Sequence, residues 1–518
     1  MGINARRGRA AYGNGSIFVT DIGGESPALS NIVLKLALVI LSGLAAAGCA
    51  PKTAVLHQPA AVPEHEALFA EGQAAFREAT PEGYERAANA FRKASSLRPE
   101  RCEYSLHLTE ALLFLALEQK LNQEDTAPAG QEAGKIITSV EGKPCAAGFV
   151  SILNRVKALS VSPGAAEGQV ADATIQIQAR TFGQNAMDAI DRAIAADPND
   201  PMNWLVLWKL SPVDPRGPLL RANTLAPDLP VVQYEMGSAN LILSHYPEAR
   251  RNFERAIELS PRHFHSMIGL AYAIAAADPD TTEMLPLYQK ASAVAPKYLE
   301  AHALLGYYYD QIEETDRALD QYRTIVALNP RNEPGQLSLG IALFKASRPD
   351  DAEKTLKTAL SIDSGDAQAH YYLANIKLNR GDLPGAQAEA ELAVRYGTAF
   401  VEAFYLLGII LERESRIDEA LTQYERALRT KKDYPDALLA RGDIRAQRGQ
   451  FADALADFTA AVGAYRSQSA EFEKEAVKAE TGGFLLKARA LRARKAEAED
   501  AMRRAEAVAQ RVQAVMKP

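Results

Sequence analysis

A period of 34 or 35 residues runs through positions 230–464, and no other feature restricts the fold of this chain so tightly. "SHYPEARRNFERAIELSP" (Ser244–Pro261) returns as "EETDRALDQYRTIVALNP" (Glu313–Pro330). Ala249 is answered by Ala318, Phe253 by Tyr322, Ile257 by Val326 and Pro261 by Pro330. Seven units keep this register: 230–261, 264–296, 299–330, 333–364, 367–398, 401–432 and 435–464. Self-similarity at such a spacing marks small supersecondary units that stack on one another.

Each unit reads as two helices. The first carries Leu-Gly or an equivalent small pair, as in Leu305-Gly306, Leu339-Gly340, Leu373-Ala374 and Leu407-Gly408. The second carries Ala, a residue four later and Ala three after that, as in Ala352/Leu356/Ala359 and Ala420/Tyr424/Ala427. An i, i+4, i+7 spacing puts all three on one helical face. Small residues let paired helices approach, and the bulky residue fills the space between them. Gly381 and Gly449 fall at turns that call for positive φ, and Pro261, Pro296 and Pro330 stop the second helix.

This pattern resembles the tetratricopeptide repeat over 230–464, and more weakly upstream. "AMDAIDRAIAADPNDPMNW" (Ala186–Trp204) keeps Ala186, Ile190, Ala193, Pro198 and Trp204, and "YERAANAFRKASSLRP" (Tyr84–Pro99) keeps Ala87, Phe91, Ala94 and Pro99. The resemblance implies an all-α superhelical solenoid, because one repeat cannot bury its own apolar face. A degenerate helical region is expected over 65–229, with a non-repetitive insertion at 120–144. Residues 465–518 break the period and read as a helical hairpin cap turning at Gly482-Gly483.

In proteins of this family the first helix of each repeat lines a concave groove through its second, fifth, ninth, twelfth and thirteenth positions. Carried onto this chain, those positions include Tyr234, Leu241, Ile268, Tyr272, Tyr307, Leu337, Ile341, Phe344, Tyr371, Asn375, Tyr405 and Ile409. About half are expected to face solvent, the rest being inter-repeat packing. Aromatic rings give large contact area with a polar handle, which suits a peptide or helix laid in the groove. The carboxylate clamp of chaperone adaptors needs Lys at the fifth position beside Asn at the ninth. Tyr371 stands beside Asn375, so that clamp is absent.

Ahead of the repeats lies "LVILSGLAAAGCAPK" (Leu38–Lys52). Lys35, a short apolar core and small residues before a cleavage point make a secretory signal, too short to serve as a lasting span. With Cys49 after Ala46-Ala47-Gly48, the stretch resembles a bacterial lipobox, whose cysteine is lipidated and becomes the new N-terminus. It departs from the pattern at Ala46, where leucine is usual. The resemblance implies a signal peptide at 1–48, a lipidated Cys49 and a flexible tether over 49–64. Residues 1–31 lengthen the leader unusually, and translation from near Val33 would give one of ordinary shape. Only Cys102 and Cys145 then remain, flanking the insertion in an oxidising compartment. The residues leave open a disulfide or two buried thiols, and the bridge is the reading favoured.

Net charge is −7, unevenly distributed. Residues 1–48 carry +2, and residues 484–518 hold nine Lys/Arg against four Asp/Glu. The body between is therefore strongly acidic, which argues against nucleic acid as a partner. The basic C-terminal helix reads as a solvated cap, or as a face for an anionic partner or membrane surface. No phosphate-cradling glycine loop appears. Of the eight histidines, His263 and His265 come closest to a site, but they fall in an inter-repeat turn with no nearby Cys or paired carboxylate. His302 and His370 read as core residues. Acidic residues read as spread along helix surfaces, leaving no acid–base pair. The expectation is a noncatalytic scaffold without metal or cofactor, lipid-anchored at the periplasmic face of an outer membrane. Its groove would recruit other envelope proteins for a motility, pilus or secretion machine. The alternative is an accessory binding protein for envelope polysaccharide or peptidoglycan synthesis.

Overall fold

A computed structural model describes residues 62–122, 126–160, 173–210, 216–277 and 283–516. The signal segment 1–48, Cys49 and the tether up to residue 61 lie outside the described residues. Within them the chain is all helix: α1 (Glu64–Arg77), α2 (Pro81–Leu97), α3 (Cys102–Leu121), α4 (Ala127–Val140), α5 (Val150–Ser160), α6 (Ala173–Ala196), α7 (Pro201–Leu210) and α8 (Arg216–Leu225) precede the regular repeats. The repeats follow as pairs: α9/α10 (Pro230–Ile242, Tyr246–Leu259), α11/α12 (Phe264–Ala277, Met284–Val294), α13/α14 (Leu299–Gln311, Thr315–Leu328) and α15/α16 (Glu333–Lys345, Pro349–Ile362). Then come α17/α18 (Ala367–Asn379, Leu383–Tyr396), α19/α20 (Val401–Arg413, Ile417–Thr430), and α21 (Pro435–Gln447) with α22 (Phe451–Thr481). Helix α23 (Leu485–Met516) closes the chain.

Several pairs are drawn together at a glycine. A Cβ on Gly408 would stand 2.3 Å from the Tyr424 ring, one on Gly306 2.8 Å from Tyr322, and one on Gly442 2.6 Å from Phe458. Real Cβ contacts are never that short, so glycine is what lets the ring lie flat against the first helix. Full burial of such a ring is worth about 1.5–3 kcal/mol. In the fifth unit the same two register positions hold Ala374 and Ala390, both fully buried in one core. There the small partner makes room for a methyl group, and the chain carries its own size compensation.

The turn between the two helices repeats as well. Gly381 and Gly449 have φ of 81° and 71°, and Ser244, Glu313, Ser347 and Ser415 hold the same turn position in their units at 57–63°. The left-handed conformation is cheap for glycine and costs other residues about 1 kcal/mol.

Two regions depart from the sequence expectation. Much of the insertion expected at 120–144 is helix α4, which packs Ala129, Ala133, Ile137 and Val140 into the N-terminal core. Cys145, just past the insertion, stands in a 3-10 turn (Pro144–Phe149) and is joined to Cys102 at the start of α3, with Cα atoms 5.6 Å apart. In the chain-entropy picture such a link is worth about 4 kcal/mol against the unfolded chain. No single described helix is long and apolar enough to cross a bilayer. The pair Ala127–Val140 and Pro144–Leu159 meets that test only together and bent by 111°, and most of its apolar side chains pack in the N-terminal core. At the other end, the expected boundary after residue 464 falls inside α22, which runs unbroken for 31 residues.

Candidate functional site

The inner face of the solenoid is built from one helix per unit, and its first stretch is already filled. The end of α3 seats there. His265 Nε2 lies 2.7 Å from Glu118 Oε2. Asn122 donates through Nδ2 to the Lys297 carbonyl (2.9 Å), and its Oδ1 accepts from the Leu299 amide (2.7 Å). Ser260 Oγ donates to the Glu78 carbonyl at the end of α1 (3.0 Å). The Leu299 amide is in the first turn of α13, whose own N-cap residue Tyr298 offers no side-chain bond. Asn122 thus caps a helix far from it in sequence.

The consequence for the groove is direct. Ile268 is buried at 4% exposure, and Tyr234 packs against His263 and His265 at 5.2 and 5.8 Å between ring centres. Leu241 and Tyr272 are half-buried, with Leu241 packed on the core of the first units and Tyr272 on the cluster around Phe264. Ile268 is therefore inter-repeat packing, buried among Phe264, Met267 and Tyr298, and the N-terminal helices meet the inner face beside it at His265.

The same seam corrects the reading of the histidines. His265 does meet a carboxylate, but one contributed from α3. Burial lowers its pKa, and the charge of Glu118 more than restores it, leaving the net shift upward. His263 is buried without a counter-charge: desolvation, with His265 nearby, pushes it down to about 3. Its Nδ1 lies 2.7 Å from Ser266 Oγ. Histidine beside serine suggests a nucleophile and its base, but Ser266 and His263 are 0% and 1% exposed and no substrate can reach them. His302 and His370 are core residues with both ring nitrogens engaged: His302 with Gln321 and the Pro296 carbonyl, His370 with Glu389 and the Ser364 carbonyl.

Acidic residues are not all on helix surfaces. Glu110 is buried and receives the Arg155 guanidinium at 2.7 Å, and Arg155 also holds Asp200 and Asn203. Burial alone would raise the Glu110 carboxyl, but Arg155 and His107 hold it down to about 2. This network sits beside a cavity of about 590 Å³ lined by Phe76, Phe91, His107 and Met202. Arg155 is engaged through Nε and Nη1, and the network ties α3, α5 and α7 together. Its members lie on separate helices of the degenerate region, with no spacing to betray them. Among the described residues no group of three or more His, Cys, Asp or Glu could hold a metal ion.

Beyond the N-terminal seam the inner face stays accessible. Tyr307 is 40% exposed, and Leu337, Ile341, Phe344, Tyr371, Asn375, Tyr405 and Ile409 are half-buried. They form a run of rings in contact: Phe344 with Tyr372 at 5.3 Å, Tyr371 with Phe400 at 4.9 Å, Tyr405 with Tyr434 at 5.5 Å. Asn375 donates back to the Tyr371 carbonyl (2.9 Å). A cavity of about 360 Å³ opens beside Tyr307, between Ala303, Leu304, Ile325 and Ser338. The field along this stretch is acidic. Glu402 is exposed without an ion pair among the described residues, and burial with Glu412 nearby raises the Asp443 carboxyl.

The C-terminal hairpin bridges this open arc. Helix α22 begins as the second helix of the seventh unit, and about 46 Å of helix later its end reaches the third. Phe484 packs edge-on to Tyr308 (6.4 Å, 72°), and Arg494 Nη2 donates to Glu313 (2.7 Å). Helix α23 returns along α22, setting Ala498, Ala501 and Ala505 into the core shared with Tyr465, and Val512 against Phe458.

Tetratricopeptide repeat profiles match residues 343–404 and 405–469. The chain is 25% identical to tetratricopeptide repeat protein 8 of Caenorhabditis elegans over 178 residues, 34% of this chain and 35% of that protein. It is 23% identical to superkiller complex protein 3 of Mus musculus over 276 residues, 45% of this chain and 18% of that one. The chain thus spans about a third or less of the length of these relatives. Among solved structures, a tetratricopeptide repeat protein from Parabacteroides merdae aligns over 50% of this chain and 98% of its own, at 15% identity and a TM-score of 0.39. YrrB, described as having an unusual peptide-binding site, aligns over 36% of this chain and 97% of its own, at 22% identity and a TM-score of 0.31.

Proposed function

We propose that this tetratricopeptide-repeat chain is a noncatalytic scaffold that holds protein partners against the open inner face of its third to sixth units, while a lipid on Cys49 keeps it at the periplasmic face of a bacterial outer membrane. The observation that carries the scaffold reading is the run from Tyr307 to Ile409. Each first helix there offers a half-buried aromatic or aliphatic side chain to the same face, beside acidic groups. Rings that are already packed on one another lose little side-chain freedom when a partner covers the rest of their surface. Such a surface suits an extended or helical segment carrying basic and apolar residues.

The envelope location is supported by the lipobox-like stretch ending at Cys49, and by the Cys102–Cys145 link, which suits an oxidising compartment. Within the envelope, assembly of a motility, pilus or secretion machine is the role we favour, because a tethered, non-enzymatic arc can gather components without consuming them. Two substitutions test the reading separately. Cys49→Ser should release the protein from outer-membrane fractions, and unchanged fractionation counts against the anchor. Tyr307→Glu should remove partners that co-purify from detergent-solubilised envelopes while leaving the fold intact. An unchanged set of partners counts against the inner face as the docking surface.

A further inference from the structure

The tip of the α22–α23 hairpin carries a feature that the scaffold reading does not use. Residues 484–495, "FLLKARALRARK", hold five cations and no acid. Phe484 is turned inward onto Tyr308, which fixes the tip, and its neighbours point away. Leu485 is 65% exposed, Leu486 50%, and Val477 across the Gly482-Gly483 turn 47%. Arg489, one turn on from Leu485, is exposed and makes no ion pair among the described residues. Arg492 and Lys495 are paired with Glu480 and Glu473 on the adjoining helix, at the exposed rim.

We propose that this tip docks on an anionic lipid surface, with Leu485, Leu486 and Val477 entering the headgroup boundary and Arg489 and Arg492 meeting phosphates. A convex turn with three apolar side chains is too small to be the core of a specific protein interface, which buries about 800 Å² on each partner. Leucines with arginines one turn behind them match the depth profile of a membrane interface. Paired arginines at an exposed rim can exchange carboxylate for phosphate at little cost. The proposal is independent of the anchor at Cys49, since it needs only anionic lipid within reach.

The test uses the full chain with Cys49→Ser and an NBD fluorophore on Val477→Cys. The same fluorophore on Ile242→Cys, an exposed site in the first repeat, serves as the control. The probe reports its own surroundings, so partition of the apolar residues 36–48 cannot imitate docking of the tip. With phosphatidylglycerol-containing vesicles the Val477 probe should shift to the blue, and phosphatidylcholine vesicles alone should leave it unchanged. Leu485→Glu with Arg489→Glu should weaken the apparent partition about tenfold or more. Both sites are exposed, so circular dichroism should be unaltered. No shift with anionic vesicles, an equal shift at Ile242, or a shift indifferent to lipid charge or to the double substitution overturns the proposal.

Discussion

Asn122 satisfies both a carbonyl and a helix-terminal amide on the third repeat, and its side chain is the narrowest link between the N-terminal helices and the solenoid. Asn122→Ala leaves the Leu299 amide without its cap at a buried site, and a lost cap costs about 0.5–2 kcal/mol. Denaturant unfolding should show that loss, and hydrogen exchange at Leu299 should quicken before exchange elsewhere in α13. His263 gives the seam a pH dependence whose sign can be worked out. Above pH 6.5 the ring is neutral in both folded and unfolded chains and costs nothing. Below it the unfolded chain takes a proton that the folded chain, with this ring held to about 3, refuses. Stability therefore falls as pH drops from 6.5 toward 3, by up to about 1.4 kcal/mol per pH unit. His265 is shifted the other way. Its contribution is fully present below pH 6.5 and is lost as pH rises through its raised folded value. Glu110 adds a loss only as pH falls below 4.5 toward 2. Comparing wild type with His263→Gln between pH 6 and 4.5 isolates the ring, and the variant should show the shallower slope.

At the scale of the helix pair, the Gly-to-ring contacts were legible in the sequence because each lies within one repeat and recurs. The period exposes Gly306 with Tyr322, Gly408 with Tyr424 and Gly442 with Phe458 as one solution reused. Gly408→Ala should cost about 1–3 kcal/mol by overpacking, since the added carbon meets the Tyr424 ring. The fifth unit offers the reciprocal experiment. Ala390→Tyr should be tolerated better with Ala374→Gly than alone, and the coupling energy in a double-mutant cycle measures the pairing. The hairpin was legible as two helices and a glycine turn, but its reach was not. Nothing in residues 465–518 announces that Phe484 meets Tyr308, because that contact belongs to no period. Among the described residues the tip's ties to the third unit include one ring contact and one exposed ion pair, together about 1–2 kcal/mol. Phe484→Ala with Arg494→Glu should detach it. Spin labels at Val477 and Tyr307 should then report a longer, broader distance, while Val512 stays packed against Phe458.

Over the whole molecule, the sequence reading of an all-α repeat solenoid matches the structure, because stacked units bury their apolar faces by local rules. What escaped it is how the arc closes on itself. Glu118, Asn122 and Glu78 come from the irregular region, where no register indicates a partner, and they meet His265 on the inner face and the inter-repeat turns at Ser260, Lys297 and Leu299. The sequence list of groove residues is therefore divided by the structure: Ile268 is buried between repeats, Tyr234 is packed into the histidine seam, and the stretch from Tyr307 to Ile409 stays partly exposed. That division decides which inner-face residues are open to solvent. It is tested most directly by placing a photo-crosslinking benzoylphenylalanine at Tyr307 on the inner face and, separately, at Leu328 on a second helix, 40% and 41% exposed in the free chain. Irradiated in intact envelopes, the Tyr307 probe should give discrete protein conjugates that the Leu328 probe does not. No conjugates from Tyr307, or the same set from both positions, would contradict the account.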